Sequence, residues 1–157
     1  MLMVVIVGTA FLLLSRRRQD NEQHLAAERE LAGLNAASSG REVPTQMLSV
    51  VLTPLSLRSV GPQTEFTPRG DIRVVELHLL WIQKERYATH RAVLRRVGSA
   101  QEFIINDLRP ENDIGKSIRI RLPARLITRG LYQIILSGIA ADGAAGPAEE
   151  YSFTVGG

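Results

Sequence analysis

The chain has 157 residues, which is enough for one domain of ordinary size and an appendage. Its 45% hydrophobic and 22% charged residues are typical of a chain that folds, and the lack of cysteine excludes thiol catalysis, disulfide bonds and cysteine-ligated zinc. The net charge of +3, all of it carried by residues 46–157, is too small to indicate nucleic-acid binding by itself.

The chain opens on an uncharged run from Met1 to Leu14, and three consecutive arginines, Arg16 to Arg18, follow it. A bilayer core needs about 20 apolar residues in a helix, and this run supplies roughly three-quarters of that number. Arginines at the end of an apolar run fit the lipid boundary, where their heads reach water. We therefore predict a single-pass transmembrane helix over residues 1–15, with part of the span missing before Met1.

Two alternatives to a membrane anchor stay open. A cleavable signal peptide has its basic region before the apolar run, whereas the basic cluster here follows the run and the triplet Gly8-Thr9-Ala10 lies inside it. A buried core helix is the other alternative, because apolar runs of about 10 to 14 residues often have that role. The run is apolar on every face, which favours the membrane.

Residues 16–37 predict a helical stalk, because they are rich in Arg, Glu, Gln, Ala and Leu. Their apolar stripe is short and polar residues extend it, which favours a solvated stalk over a coiled-coil dimer. The stripe consists of Ala27, Leu31 and Leu34, with Asp20 and His24 before them. A linker over residues 38–45, which contains Pro44, ends the helix.

From residue 46 to residue 157 the apolar side chains recur with a period of two. The inward members of the successive runs are Leu48, Val50 and Leu52; Val75, Leu77, Leu79 and Trp81; His90, Ala92 and Leu94; Phe103 and Ile105; Ile118, Ile120 and Leu122; Tyr132, Ile134 and Leu136; and Tyr151, Phe153 and Val155. One apolar face per strand is what two packed sheets require. The pattern predicts an all-β fold, an immunoglobulin-like antiparallel sandwich of about seven strands over residues 46–157.

Two turns refine this prediction. In PARLITRGLYQIILSG, Gly130 permits a tight corner and Tyr132 can bury its ring while its hydroxyl bonds to backbone upstream, as in the tyrosine corner of immunoglobulin-like domains. In LSGIAADGAAGPAEEYSFTV, the pair Asp142-Gly143 is typical of a hairpin turn between two strands.

The apolar span, the Arg/Glu/Gln stalk and the sequences RAVLR, LPARLITRGLYQIILSG, ADG and YSFTV also carry a resemblance. In these features the chain resembles the anti-sigma-factor-like, zinc-finger-bearing single-pass membrane proteins of bacteria, in which a β-sandwich follows the span. The resemblance covers nearly the whole chain through fold signatures, without a catalytic motif. In that family a Cys/His zinc-binding domain before the membrane grips the sigma factor, and that half is absent from this sequence.

The histidines do not predict a metal site. A zinc ion needs three or four converging ligands, whereas His24 lies on the stalk, His78 at an outward strand position and His90 at an inward one. We expect His90 to lie at the edge of the core with a hydrogen bond to backbone.

The loop NDLRPENDIG is a second candidate for a cation. Its oxygen-bearing side chains suit calcium, but their spacing departs from that of an EF-hand loop and equally describes a turn-rich linker. They belong to Asn106, Asp107, Glu111, Asn112 and Asp113. We predict neither a metal nor a cofactor.

Several arginines raise the question of nucleic-acid or lipid-headgroup binding: Arg91, Arg95, Arg96, Arg119, Arg121, Arg125 and Arg129. Most of those on strands fall at outward positions, where solvent favours charge. Aromatic residues that could stack on bases make up only 5% of the chain, and Trp81, Tyr132 and Phe153 are in core phase. No serine lies in a GxSxG or similar context. We expect no nucleic-acid partner and no enzymatic activity.

These features predict a non-enzymatic, membrane-tethered interaction or sensory module of the bacterial envelope, with a protein partner. It would bind through strand edges or end loops, such as the one from Ala140 to Ala148. The alternative is a partial anti-sigma-factor-like regulator whose recognition half lies upstream. The resemblance implies an extracytoplasmic β-domain, whereas the arginines after the span favour the cytoplasm.

Overall fold

β-Strands make up most of the computed structural model, which describes residues 25–35, 46–57, 63–83, 87–111 and 117–157. The predicted membrane helix over residues 1–15, the linker over residues 38–45 and His24 lie outside these ranges. In the described part of the chain, no helix has both the length and the apolar character that crossing a bilayer requires.

The strands form two sheets that share one hydrophobic core. In chain order they are β1 (Met47–Leu52), β2 (Thr64–Phe66), β3 (Val74–Leu80), β4 (Thr89–Arg96), β5 (Glu102–Leu108), β6 (Ser117–Pro123), β7 (Gly130–Ile139) and β8 (Ala145–Val155). One sheet has the order β1-β3-β6 and the other the order β2-β8-β7-β4-β5. Short 3₁₀ helices follow β1 at Leu55–Leu57 and β6 at Ala124–Leu126. The predicted all-β sandwich is confirmed.

Two strand pairs differ from the antiparallel prediction. β1 runs parallel to β3 and β2 runs parallel to β8, whereas the other ladders are antiparallel. The seven predicted runs also leave out residues 64–66, which form β2. A strand of three residues is too short to show alternation, and it pairs with a strand at the far end of the domain sequence. Local turn signals therefore cannot reveal it.

Most of the predicted inward positions form the core, whereas Leu48 and Val50 of β1 are only half-buried. Leu77 of β3 lies opposite Ile120 of β6, and Leu94 of β4 lies opposite Ile134 of β7. All four side chains are buried, and each contributes about 1.5 to 3 kcal/mol by leaving water. The strand phases predicted from the sequence are therefore correct.

The corner before β7 has the predicted geometry. Tyr132 is only 3% exposed, and its ring stacks on Phe153 with centroids 5.2 Å apart and planes 6° apart. The Thr128 backbone N–H donates to the Tyr132 hydroxyl at 3.0 Å, and the hydroxyl donates to the Thr128 carbonyl oxygen at 3.0 Å. Gly130 has a φ of 149°, which a side chain rarely adopts. The tyrosine corner is confirmed.

The turn between β7 and β8 also matches its prediction. Asp142 accepts a hydrogen bond from the Ala144 N–H at 2.9 Å, and Gly143 has a φ of 85°. β8 begins at Ala145, however, so the second part of the segment expected to be an end loop for a partner, Ala145 to Ala148, belongs to a paired strand.

The described part of the predicted stalk is a helix, α1, over residues 25–35. It is not solvated on all sides, because Ala27 and Leu31 are buried in the core cluster. Asn35 extends the contact: its amide accepts from the Arg121 N–H at 2.9 Å and donates to the Arg121 carbonyl oxygen at 3.0 Å. These two bonds satisfy the backbone N–H and carbonyl oxygen of Arg121 on the edge strand β6. The apolar stripe thus packs against the sandwich.

Candidate functional site

The outer face of the three-stranded sheet carries a polar network centred on His78. Its Nε2 lies 2.9 Å from Glu76 Oε1 and 3.0 Å from Ser49 Oγ, and its Nδ1 lies 3.1 Å from Glu111 Oε2. Alternation places Glu76 and His78 on one face of β3, and the parallel register of β1 brings Ser49 beside them. Strand alternation predicts that this face of β3 meets solvent, and it gives no signal that these three side chains lie together.

Two arginines of β6 complete the network. Arg121 Nε donates to Glu76 Oε2 at 2.8 Å, and Arg119 forms an ion pair with Glu111. Glu76 is 5% exposed, although we expect its side of β3 to face water. Burial raises the pKa of Glu76, but hydrogen bonds from Arg121 and His78 and the nearby arginine charges outweigh that effect and hold the pKa below 4.5.

The network contains a serine, a histidine and a carboxylate in the order of a catalytic triad. In such a triad the imidazole nitrogen next to the serine must accept its proton. Here Nε2 of His78 also faces the Glu76 carboxylate at 2.9 Å, so both ring nitrogens face carboxylate acceptors. Both ring nitrogens of His78 are thus engaged by carboxylate oxygens, and the geometry fits a polar network that joins β1, β3 and β6.

The acidic loop considered for calcium is divided by the structure. Asn106 and Asp107 belong to β5, Glu111 binds His78 and Arg119, and Asn112 and Asp113 lie outside the described residues. Among the residues that the structure describes, no group of histidines and carboxylates is arranged to hold a metal ion.

His90 lies in an aromatic cluster at one end of the sandwich. Its ring is 4.9 Å from the Trp81 ring and 6.0 Å from the Tyr87 ring, both edge-on. Gly138 and Gly146 make room for Tyr87, since a Cβ at either would fall within 2.3 Å of a Tyr87 atom. His90 is 1% exposed, and neither ring nitrogen has a hydrogen-bond partner among the described residues. The Leu108 backbone, which faces His90 across the β4–β5 ladder, is the backbone group that acts on the ring, and the expected hydrogen bond to backbone stays a prediction.

The buried imidazole predicts a pH-dependent stability. Burial lowers the pKa of His90 below 6.5, and the neighbouring Leu108 backbone acts in the opposite direction without cancelling the effect. Below pH 6.5 the unfolded chain takes up a proton at His90 that the folded chain does not, so stability is present above that pH and lost as the pH falls. We expect urea unfolding between pH 7.5 and pH 5.5 to show a decline of up to about 1.4 kcal/mol per pH unit.

The matched control for this decline is His90→Leu, which should remove most of it. An equal decline in the His90→Leu protein would contradict the assignment.

A second buried polar group ties β8 to the end of β3. The Tyr151 hydroxyl lies 2.7 Å from both the Leu80 carbonyl oxygen and Glu149 Oε2, and the Ile82 N–H donates to Glu149 Oε1 at 3.1 Å. Burial and the Glu149 carboxylate raise the pKa of Tyr151. Glu149 is not among the residues predicted from the sequence to have a role. Because it lies two residues before Tyr151, strand alternation places it on the same inward face, and this spacing could have indicated a buried carboxylate.

A cleft of about 810 Å³ opens between α1 and one end of the sandwich. α1 contributes Glu30 and Leu34, and the sandwich contributes aliphatic side chains and four arginines. The arginines are Arg69, Arg73, Arg125 and Arg129. Arg125 forms an ion pair with Glu30, and the guanidinium groups of the other three contact no described acidic side chain. The cleft therefore brings three arginines without a described acidic partner to one concave surface.

The arginines considered for nucleic acid therefore separate into groups. Arg119 and Arg121 bind carboxylates of the network, and Arg95 donates to Gln133 at 2.7 Å. Of the arginines considered for nucleic acid, Arg125 and Arg129 line the cleft. Arg69 and Arg73 are not predicted from the sequence because they lie in the segment between β2 and β3, where strand alternation has no predictive value.

Comparison of the chain with protein-family models gives no match, and comparison with curated proteins gives none.

Proposed function

We propose that this chain is a non-enzymatic, membrane-tethered binding module of the bacterial envelope. Its β-domain is an immunoglobulin-like sandwich, and its ligand cleft is walled on one side by the tether helix α1. The observation that carries the proposal is the position of the cleft, because Glu30 of α1 and Arg125 of the sandwich meet on its wall. A ligand there would contact the tether and the domain together.

Two features support the immunoglobulin-like assignment. The tyrosine corner precedes β7, as it precedes strand F in immunoglobulin-like domains. The larger sheet joins β8, β7, β4 and β5, the order in which a variable-type domain joins strands G, F, C and C′. The parallel pairing of β1 with β3 departs from that scheme.

The docking of α1 supports a sensory role. Two buried side chains, a paired asparagine and an ion pair hold the helix on the domain. A change at the cleft is therefore transmitted to the segment that leads toward residues 1–15, where the sequence predicts the anchor.

Membrane tethering is tested by fractionation of bacterial cells. The full chain should sediment with membranes and resist alkaline extraction, because its apolar run lies in the bilayer. A chain that begins at Asp20 keeps α1 and should be soluble and folded.

The matched control is the full chain with Val7→Asp and Leu12→Asp, since each aspartate costs about 2.5 to 3.5 kcal/mol near the centre of a span. It should leave the membrane fraction. Equal extraction of the wild-type and doubly substituted chains would refute the tether.

A further inference from the structure

The described residues that line the cleft have an unequal charge balance. Four are arginines and one, Glu30, is acidic, and that carboxylate is already bound to Arg125. The side chains of Arg69, Arg73 and Arg129 are exposed and turn toward the same cleft. Guanidinium groups present planar pairs of donors that match carboxylates, so the cleft offers several positions at which anionic oxygens can accept hydrogen bonds.

The aliphatic part of the lining favours a peptide over a nucleic acid. Leu34, Ile72 and Val155 line the cleft together with the arginines, and the described lining contains no aromatic side chain on which a base could stack. A volume of about 810 Å³ accommodates several side chains. Alternating acidic and apolar side chains would complement such a surface.

Resting on the cleft assigned above, we propose that its ligand is an acidic peptide segment of a partner protein, and that ligand carboxylates replace Glu30 on Arg125. The Glu30–Arg125 pair is already the contact of a carboxylate with this surface. Both side chains are substantially exposed, at 40% and 63%, so their ion pair is weak and is readily exchanged. Ligand binding at Arg125 thus breaks the ion pair that holds Glu30 of α1 against the sandwich.

The exchange predicts opposite effects for two kinds of substitution. Removing an unpaired arginine should weaken binding, whereas Glu30→Gln should strengthen it because the internal competitor is lost. Charge-matched controls exist on the outer face of the larger sheet, where Arg91 and Glu150 are exposed and distant from the cleft lining.

The experiment measures the fluorescence anisotropy of a labelled hexapeptide of alternating glutamate and leucine, with the full chain purified in detergent. We expect saturable binding that the double variant Arg73→Gln/Arg129→Gln weakens about tenfold or more, while Arg91→Gln changes it less than about threefold. Glu30→Gln should tighten binding several-fold more than Glu150→Gln does. A peptide of alternating glutamine and leucine should not bind. Circular dichroism of each variant checks that the fold is retained.

Three outcomes would overturn the proposal: no saturable binding, equal losses in the cleft and Arg91 variants, or displacement of the peptide by sn-glycerol 3-phosphate at lower concentrations than by unlabelled peptide. The last would assign the cleft to phosphate headgroups. Since the assay in detergent does not depend on an anchor, a chain that binds the peptide but leaves the membrane fraction would reject the tether alone. A chain that stays in the membrane but fails to bind would reject the acidic peptide alone.

Discussion

Replacing Tyr132 with alanine is expected to lower the free energy of unfolding by about 3 to 5 kcal/mol. The substitution removes a ring that is 97% buried and stacked on Phe153, and leaves a cavity between the sheets. It also removes the hydroxyl that satisfies both the N–H and the carbonyl oxygen of Thr128. Domains of this size have total stabilities of about 5 to 15 kcal/mol, so the loss is a large fraction of the whole. Urea unfolding of the chain from Asp20 measures it.

Two further substitutions separate the parts of this effect. Tyr132→Phe keeps the ring and should cost about 1 to 3 kcal/mol, because two backbone groups of Thr128 lose their partner. Gln133→Ala, next along the strand and directed away from the core toward Arg95, should cost at most about 1 kcal/mol. Stability of the Phe variant equal to wild type would show that the corner hydrogen bonds contribute nothing.

Replacing Glu76 with alanine should cost about 2 to 4 kcal/mol, because it leaves the buried Arg121 guanidinium without its carboxylate. His78 and Ser49 lose a shared partner at the same time. The pKa of Glu76 lies below 4.5, so its contribution is present at neutral pH and disappears as the pH falls through that lower pKa. Urea unfolding at pH 7 and at pH 4 tests both statements.

The conservative variant Glu76→Gln keeps an acceptor for Arg121 and should cost about half as much as alanine. The exposed Glu150→Ala on β8 is the matched control and should change stability by less than about 0.5 kcal/mol. If Glu76→Ala and Glu150→Ala had equal effects, the network on the three-stranded sheet would have no role in stability.

Prediction of the candidate site from the sequence was partial for a geometric reason. The sequence marks Arg125 and Arg129 as basic residues. Their proximity to Arg69, Arg73 and Glu30 arises because the fold brings together three segments that are distant in the chain. The network around His78 has the same origin, because the parallel pairing of β1 with β3 brings Ser49 to the histidine. Neither grouping produces a periodic signal or a motif.

The sequence by itself determined the core of this protein. Period-two alternation specified which side of each long strand is buried, as Leu77 and Ile134 show, because successive side chains of a strand must point to opposite faces. Local chemistry likewise determined the Asp142-Gly143 turn and the corner at Tyr132, whose partners lie within four residues.

Tertiary structure decided which surfaces face water and which strands pair over long distances. Glu76 has the outward phase of a solvated residue, yet it is buried, with the side chains of Arg121 and His78 bonded to its carboxylate. The apolar stripe of Ala27 and Leu31 is too short to predict that α1 packs on another element. The folded domain provides the core against which both side chains are buried. Burial on the second face of a sheet depends on what covers it, and period-two patterning carries no information about the cover.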